Sequence, residues 1–171
     1  MVGLSLAGCD KVKEATGIDG PKQAGNAVES VRQAAGVAGS IELTLDAPLA
    51  ASGCYVSLLS PGGGRPNVLQ ITSYRDPSGE SFPSVFVQAR VGENPLTALT
   101  GLAVEAIVFA QGSPDGPVWQ TLPSAPAKLT ISAAGGSEFS AELTGELVNV
   151  ESGARQAASG KFSSSDVRTK P

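Results

Sequence analysis

Apolar and polar side chains alternate with a period of two over most of the chain, and this pattern constrains the fold more than any other feature. The alternation is clear in residues 41–45, 54–58, 85–91 and 139–143. Successive side chains of a β-strand point to opposite faces, so each segment is expected to form a strand with one buried face. Residues 103–111 (AVEAIVFAQ) are the most apolar segment and the best candidate for the centre of a sheet.

Turn-forming residues separate these segments. The chain contains 21 Gly and 12 Pro, and Gly, Pro, Asn or Asp bound about nine short segments at a spacing of roughly 8–14 residues. We therefore predict an all-β fold, an antiparallel β-sandwich of about eight or nine short strands over residues 40–163, with a β-barrel as the alternative. Gly145 is expected to permit a β-bulge. The polar residues 164–171 are expected to form a disordered tail.

The residues before the first strand have a different composition. Asn26 and Glu29 have the spacing of a capping box, which favours a short helix after Asn26, and Gly36 and Gly39 end that pattern. The apolar face of this helix is small. We therefore predict that residues 9–39 form a flexible, partly helical tether in front of the β domain.

Residues Leu6-Ala7-Gly8-Cys9 resemble a lipobox, the motif that ends the signal peptide of bacterial lipoproteins. The resemblance implies that Cys9 carries the lipid and that residues 1–8 are the remnant of a signal peptide. We expect that peptide to be truncated, because no Lys or Arg precedes Cys9. Acyl chains such as palmitate would anchor the protein in a membrane of the bacterial cell envelope, facing the periplasm or the cell exterior. Asp10 resembles a signal for retention in the inner membrane.

The C-terminal third carries a second resemblance. Residues 128–131, 139–143, 147–149 with Gly153, and 159–162 are similar to the last strands of small bacterial lipoprotein domains. The resemblance implies a β-sandwich and brings no activity with it.

The sequence lacks residues that several classes of enzyme and binding protein require. The chain has no His, which removes Ser-His-Asp and Cys-His catalysis and the usual zinc sites. The net charge of −4 gives no basic footprint for nucleic acid. We find no catalytic or cofactor motif, and the Gly triplet 62–64 is interpreted as a turn because no Gly-Lys-Ser/Thr follows it. Cys54 is interpreted as a small buried residue rather than a reactive thiol.

Carboxylates give weak candidates for chemistry. A hydrolase that uses Asp76 or Glu105 is one alternative, and Glu105 either faces solvent or is partly buried within an apolar strand. Glu138, Glu142 and Glu146 are interpreted as a solvated strand face. Alternating oxygens at Asp76, Ser78 and Glu80 suit calcium, but a simple turn is favoured over a calcium site there.

The preferred function is a non-catalytic binding or structural module held at the membrane, with an envelope protein or a glycan as its partner. The polar loop over residues 74–82 and the single Trp supply the candidate surface. Its residues are Tyr74, Arg75, Asp76, Glu80, Phe82 and Trp119. A carbohydrate-binding module, which uses exposed coplanar aromatic rings, is a further alternative. The ring of Trp119 is equally expected to belong to the core.

Overall fold

The computed structural model describes residues 38–76 and 81–171, and these residues form eleven β-strands. The strands are β1 Gly39–Thr44, β2 Pro48–Ala51, β3 Tyr55–Leu59, β4 Val68–Thr72, β5 Ser84–Arg90, β6 Ala103–Gln111, β7 Val118–Gln120, β8 Ala127–Ala134, β9 Phe139–Asn149, β10 Arg155–Ser164 and β11 Asp166–Lys170. One short 3₁₀ helix, Leu96–Ala98, lies between β5 and β6, and the described residues contain no α-helix. The all-β prediction is confirmed. The predicted tether over residues 9–39 lies almost entirely outside the described residues.

The strands form one continuous sheet in the order β11-β3-β4-β5-β6-β7-β9-β10-β1-β2. Like β7, β8 lies between β6 and β9 and pairs with both, at a different point along these two strands. Most neighbours are antiparallel, and β11 is parallel to β3. No ladder joins β11 to β2 at the two ends of this path, so the sheet is not a closed barrel, and the barrel alternative is wrong.

The sheet folds over a single core. Only Ser165 separates β10 from β11, although these strands lie in distant parts of the strand order. The two parts must therefore meet at this point, which gives the fold its sandwich-like character. Strands that pass from one layer to the other make such corners in packed sheets.

The corner between β10 and β11 is held by a buried hydroxyl. Ser164 is 5% exposed. Its Oγ lies 2.5 Å from the carbonyl oxygen of Cys54 and 3.1 Å from that of Ala38. It also accepts a hydrogen bond from the backbone N–H of Asp166 at 3.1 Å. One side chain thus connects the residues that precede β1 and β3 with the first residue of β11.

The predicted alternation accounts for the core. Inward residues of every long strand are buried, and the fully buried large side chains include Ile41, Leu43, Val56, Leu58, Leu69, Ile71, Leu129, Ile131, Phe139 and Leu143. Burying each such side chain contributes about 1.5–3 kcal/mol. In β6, the inward residues are Ala106, Val108 and Ala110, and the prediction that this strand lies centrally in the sheet is confirmed.

The prediction of a disordered tail over residues 164–171 is wrong. Residues 166–170 form β11, which pairs in register with β3 from Asp166 opposite Tyr55 to Lys170 opposite Leu59. The backbone N–H of Ser60 continues the pairing to the carbonyl of Lys170 at 2.8 Å. The segment looks like a tail because an edge strand pairs through its backbone and does not need an apolar side-chain pattern. Charged side chains are also common on edge strands.

The expected bulge at Gly145 is also wrong. Gly145 lies in the regular ladder opposite Ala158 of β10, and the register shift of this region lies between Ile131 and Ala133 in β8. A Cβ atom at Gly145 would lie 2.8 Å from Ala127 Cβ and 2.9 Å from Ala127 Cα. Gly145 therefore permits close approach of two strands rather than a bulge.

We predict that Gly145→Ala destabilises the domain by about 1–3 kcal/mol, because the backbone of Ala127 must move to accept the methyl group. Urea unfolding monitored by circular dichroism would measure the change. Gly136→Ala is the control, since a Cβ there meets no atom within 4 Å. Equal stability of the Gly145 variant and the wild type would contradict the close approach.

Candidate functional site

The predicted surface residues do not form one cluster. Tyr74, Arg75 and Asp76 follow β4, and Phe82 precedes β5 and is 38% exposed. Glu80 lies outside the described residues. Trp119 is half-buried in β7 and packs against the core, so its ring is not an exposed platform.

Three rows of residues on the outer side of β4 to β7 carry no charged side chain, although charged residues flank them on the same side, at Arg90, Glu105 and Asp166. Directly paired residues of neighbouring strands point to the same side, so the register of β4 to β7 defines three rows. We call these rows the uncharged face. The rows are Thr72, Phe86, Phe109 and Gln120; Gln70, Gln88 and Ile107; and Ser84, Gln111 and Val118.

The uncharged face exposes large apolar groups. Ile107 is 43% exposed and Phe109 is 42% exposed. The rings of Phe86 and Phe109 contact each other with centroids 6.3 Å apart and planes inclined by 52°. Aromatic side chains and a lack of charge distinguish the cores of binding interfaces from the rest of a protein surface. The uncharged face therefore has the composition of a recognition surface.

The outer side of β1, β10 and β9, in contrast, is rich in charged side chains. Glu42, Lys161 and Glu142 lie side by side across β1, β10 and β9 with alternating charges. Glu146 and Arg155 form an exposed ion pair at 3.0 Å. Glu138, Glu142 and Glu146 are all exposed, in agreement with the prediction of a solvated face.

A cavity of about 230 Å³ opens at one end of the uncharged face. It is lined by Tyr74, Ser84, Phe86, Phe109, Ala110, Gln111 and Val118. The Nε2 atom of Gln111 donates hydrogen bonds to the carbonyls of Pro114 at 2.9 Å and Gly116 at 3.2 Å. Both bonds use the amide nitrogen, so the carboxamide is held in one orientation. Concave sites with apolar walls and a few fixed polar groups are typical of ligand binding.

An ion-pair cluster connects the rim of this cavity to the last strand. Arg75 Nη2 lies 2.6 Å from Asp166 Oδ2, and Arg168 Nε lies 2.7 Å from Asp166 Oδ1. The guanidinium of Arg75 also lies over the ring of Tyr55, 5.2 Å from its centroid. Asp166 is 14% exposed. The cluster fixes the residue next to Tyr74 and so helps to position one wall of the cavity.

The carboxylates proposed for a hydrolase do not converge. Glu105 and Asp76 are both exposed. Glu105 precedes Phe109 by four residues, about 13 Å along a strand. Asp76 lies beyond Thr72, which shares a row with Phe109, so the two acids are at opposite ends of the face.

Metal binding gains no support from the residues that the structure describes. No group of three or more His, Cys, Asp or Glu side chains that could hold a metal ion occurs among them. Of the three residues considered for calcium, Ser78 and Glu80 lie outside the described part of the chain.

Cys54 is a core residue, as predicted. It is fully buried and unpaired. Burial raises the pKa of the Cys54 thiol to about 12, and hydrogen bonds with Ser164 and the backbone of Ser163 oppose this rise only in part. The thiolate, which is the reactive form of cysteine, is therefore scarce at neutral pH.

Comparisons with protein-family models, with curated proteins and with solved structures found no significant match to this chain. Within residues 38–76 and 81–171, no helix is long and apolar enough to span a bilayer. The site must therefore be interpreted from its own geometry. The sequence signal for the uncharged face was the outward register of β5 and β6, where Phe86, Ile107 and Phe109 occupy positions at which polar residues were expected.

We predict that Asp166→Asn lowers stability at neutral pH by up to about 1 kcal/mol, because both arginine partners are half exposed and solvent screens the pairs. Partial burial acts to raise the pKa of Asp166, but hydrogen bonds and charges from Arg168 and Arg75 outweigh it and hold the pKa below its usual range. Protons therefore bind more weakly to the folded state, and the stabilisation by Asp166 is lost as the pH falls through this lowered pKa.

Urea unfolding of wild type and Asp166→Asn across acidic and neutral pH would measure this effect. The difference between the two proteins should be constant near neutrality and should shrink as the pH falls through the folded-state pKa. A difference that does not change with pH would show that the carboxylate charge has no part in it.

Proposed function

We propose that this protein is a lipid-anchored component of the bacterial cell envelope whose β domain is a non-catalytic binding module. The observation that carries the binding proposal is the uncharged face with its exposed aromatic rings and adjoining cavity. Apolar groups exposed on the central strands of a sheet cost solvation free energy, and contiguous exposed apolar groups mark interaction sites. The charged outer side of the other layer would remain in solvent.

The lipid anchor is proposed from the lipobox alone. Cys9 would carry the acyl chains, palmitate among them, and the membrane would be a constant partner through this lipid. The protein would face the periplasm or the cell exterior, and Asp10 would favour the inner membrane where the retention rule applies. The β domain would then bind a partner within reach of the anchor, and no nucleic acid or cofactor enters this proposal.

We expect that wild-type protein, expressed from its gene with the upstream region included, partitions with membranes and has a mass greater than its polypeptide by the attached lipid. Cys9→Ser should lose both properties, because the thioether cannot form. Cys54→Ala is the matched control with the other cysteine removed, and it should keep both. Soluble, unmodified wild-type protein would contradict the anchor without bearing on the binding module.

The binding module is tested by co-sedimentation of the full chain carrying Cys9→Ser with purified envelope material. We expect saturable binding that Ile107→Glu weakens by about tenfold or more, because a desolvated, unpaired charge is costly in an interface. Thr144→Glu adds the same charge at an exposed position on the charged side and should bind like the parent protein. Sedimentation that is absent, or equal in both variants, would overturn the assignment of the uncharged face.

A further inference from the structure

The cavity at the end of the uncharged face has the dimensions of a site for a single ring. Its volume of about 230 Å³ is below the range of roughly 300–1,000 Å³ that encloses drug-sized ligands. Phe86 and Phe109 contact each other, so a ligand cannot lie between their rings. A ligand in the cavity would lie against the outward sides of these two rings, with Tyr74 and Val118 beside it.

The lining selects an uncharged ligand with both apolar and polar edges. Tyr74, Phe86, Phe109 and Val118 give the cavity aromatic and aliphatic side chains, and the other lining residues are Ser84, Gln111 and Ala110, whose methyl group lies in the core. None of the seven carries a charge. Because hydrogen bonds to the 113–116 turn use the nitrogen of the Gln111 carboxamide, its oxygen can accept a hydrogen bond from a ligand N–H or O–H. A charged ligand would lose its hydration here without a compensating partner.

The extent of the uncharged face favours a small ligand over a folded protein. Its three rows cross four strands, and strands are about 4.8 Å apart with outward side chains about 6.8 Å apart. The footprint is therefore on the order of a few hundred Å². A standard protein interface covers about 800 Å² on each partner. One chain of a linear polymer needs much less surface than a folded partner.

We propose that the cavity binds one uncharged N-acetylated sugar ring of an envelope glycan. The apolar side of the sugar ring packs against Phe109, the acetamido methyl group fills the apolar part of the cavity, and the acetamido N–H donates to the Gln111 carboxamide oxygen. This inference rests on the proposed function, because it assigns a ligand class to the same face. The ring of Phe109, rather than that of Trp119, is the stacking residue.

The test uses the full chain carrying Cys9→Ser and, as probe, the β-1,4-linked tetramer of N-acetylglucosamine, with cellotetraose as the analogue that lacks acetamido groups. Titration by NMR should shift the backbone amides of residues 109–111, Ser84 and Val118. Phe109→Ala should weaken binding about tenfold, because a ring contact is lost. Thr144→Glu, on the charged side and away from the cavity, is the control, and it should bind the tetramer like the parent protein. Cellotetraose should bind more weakly than the acetylated tetramer.

The possible results separate this inference from the proposed function. If the tetramer causes no shifts while envelope co-sedimentation persists and is lost in Ile107→Glu, the sugar site is wrong and the face binds a protein or another partner. If the tetramer binds equally well to Phe109→Ala and the parent protein, the cavity is not its site. If envelope co-sedimentation is also absent, the proposed function fails together with the inference.

Discussion

The hydrogen bonds of the Ser164 hydroxyl fix the corner between β10 and β11, and the strand arrangement of this domain depends on that corner. A buried polar group must be paired, and the Ser164 hydroxyl is hydrogen-bonded to the residues that precede β1 and β3 and to the first residue of β11. This pairing directs the chain from β10 into β11 and sets β11 beside β3. Asp166 then meets Arg75, and the wall of the cavity next to Tyr74 is fixed. The corner at Ser164, the strand β11 and the rim of the cavity are therefore linked by a continuous series of hydrogen bonds and ion pairs.

The outer surfaces of the two parts of the sheet differ in charge and in exposed apolar area. Alternating charges across β1, β10 and β9 keep one side hydrated and discourage other chains from packing on it. On the other side, Phe86, Ile107 and Phe109 remain partly exposed although polar residues would be better solvated. The cross-strand contact of Phe86 with Phe109 stabilises the pairing of β5 with β6. The exposure of Ile107 adds nothing to the core, which lies on the opposite side of the same strands.

Residue patterns predicted the fold class and most strands because strand alternation and turn residues are local signals. They did not predict β11, since its pairing with β3 joins segments far apart in the sequence and uses backbone groups common to all residues. They placed the binding surface on the 74–82 loop because polar loops carry functional residues. The uncharged face, which we propose as the binding surface, depends on the register of β4 to β7, which brings Phe86 and Phe109 together from different strands. Trp119 was ambiguous for the same reason, because the side of the sheet that it faces depends on its partner, Ala110.

The pairing of β1 with β10 has a consequence for how the chain reaches its native state. β1 pairs locally with β2, but Gly39 also lies opposite Ser164, so β1 gains its second neighbour only after β10 has been synthesised. The last strand, β11, must likewise find β3 across more than half of the sequence. Such non-local pairing gives a high contact order and slow folding. In a chain of this topology the sheet cannot be completed until residues 166–170 have been synthesised and have paired with β3.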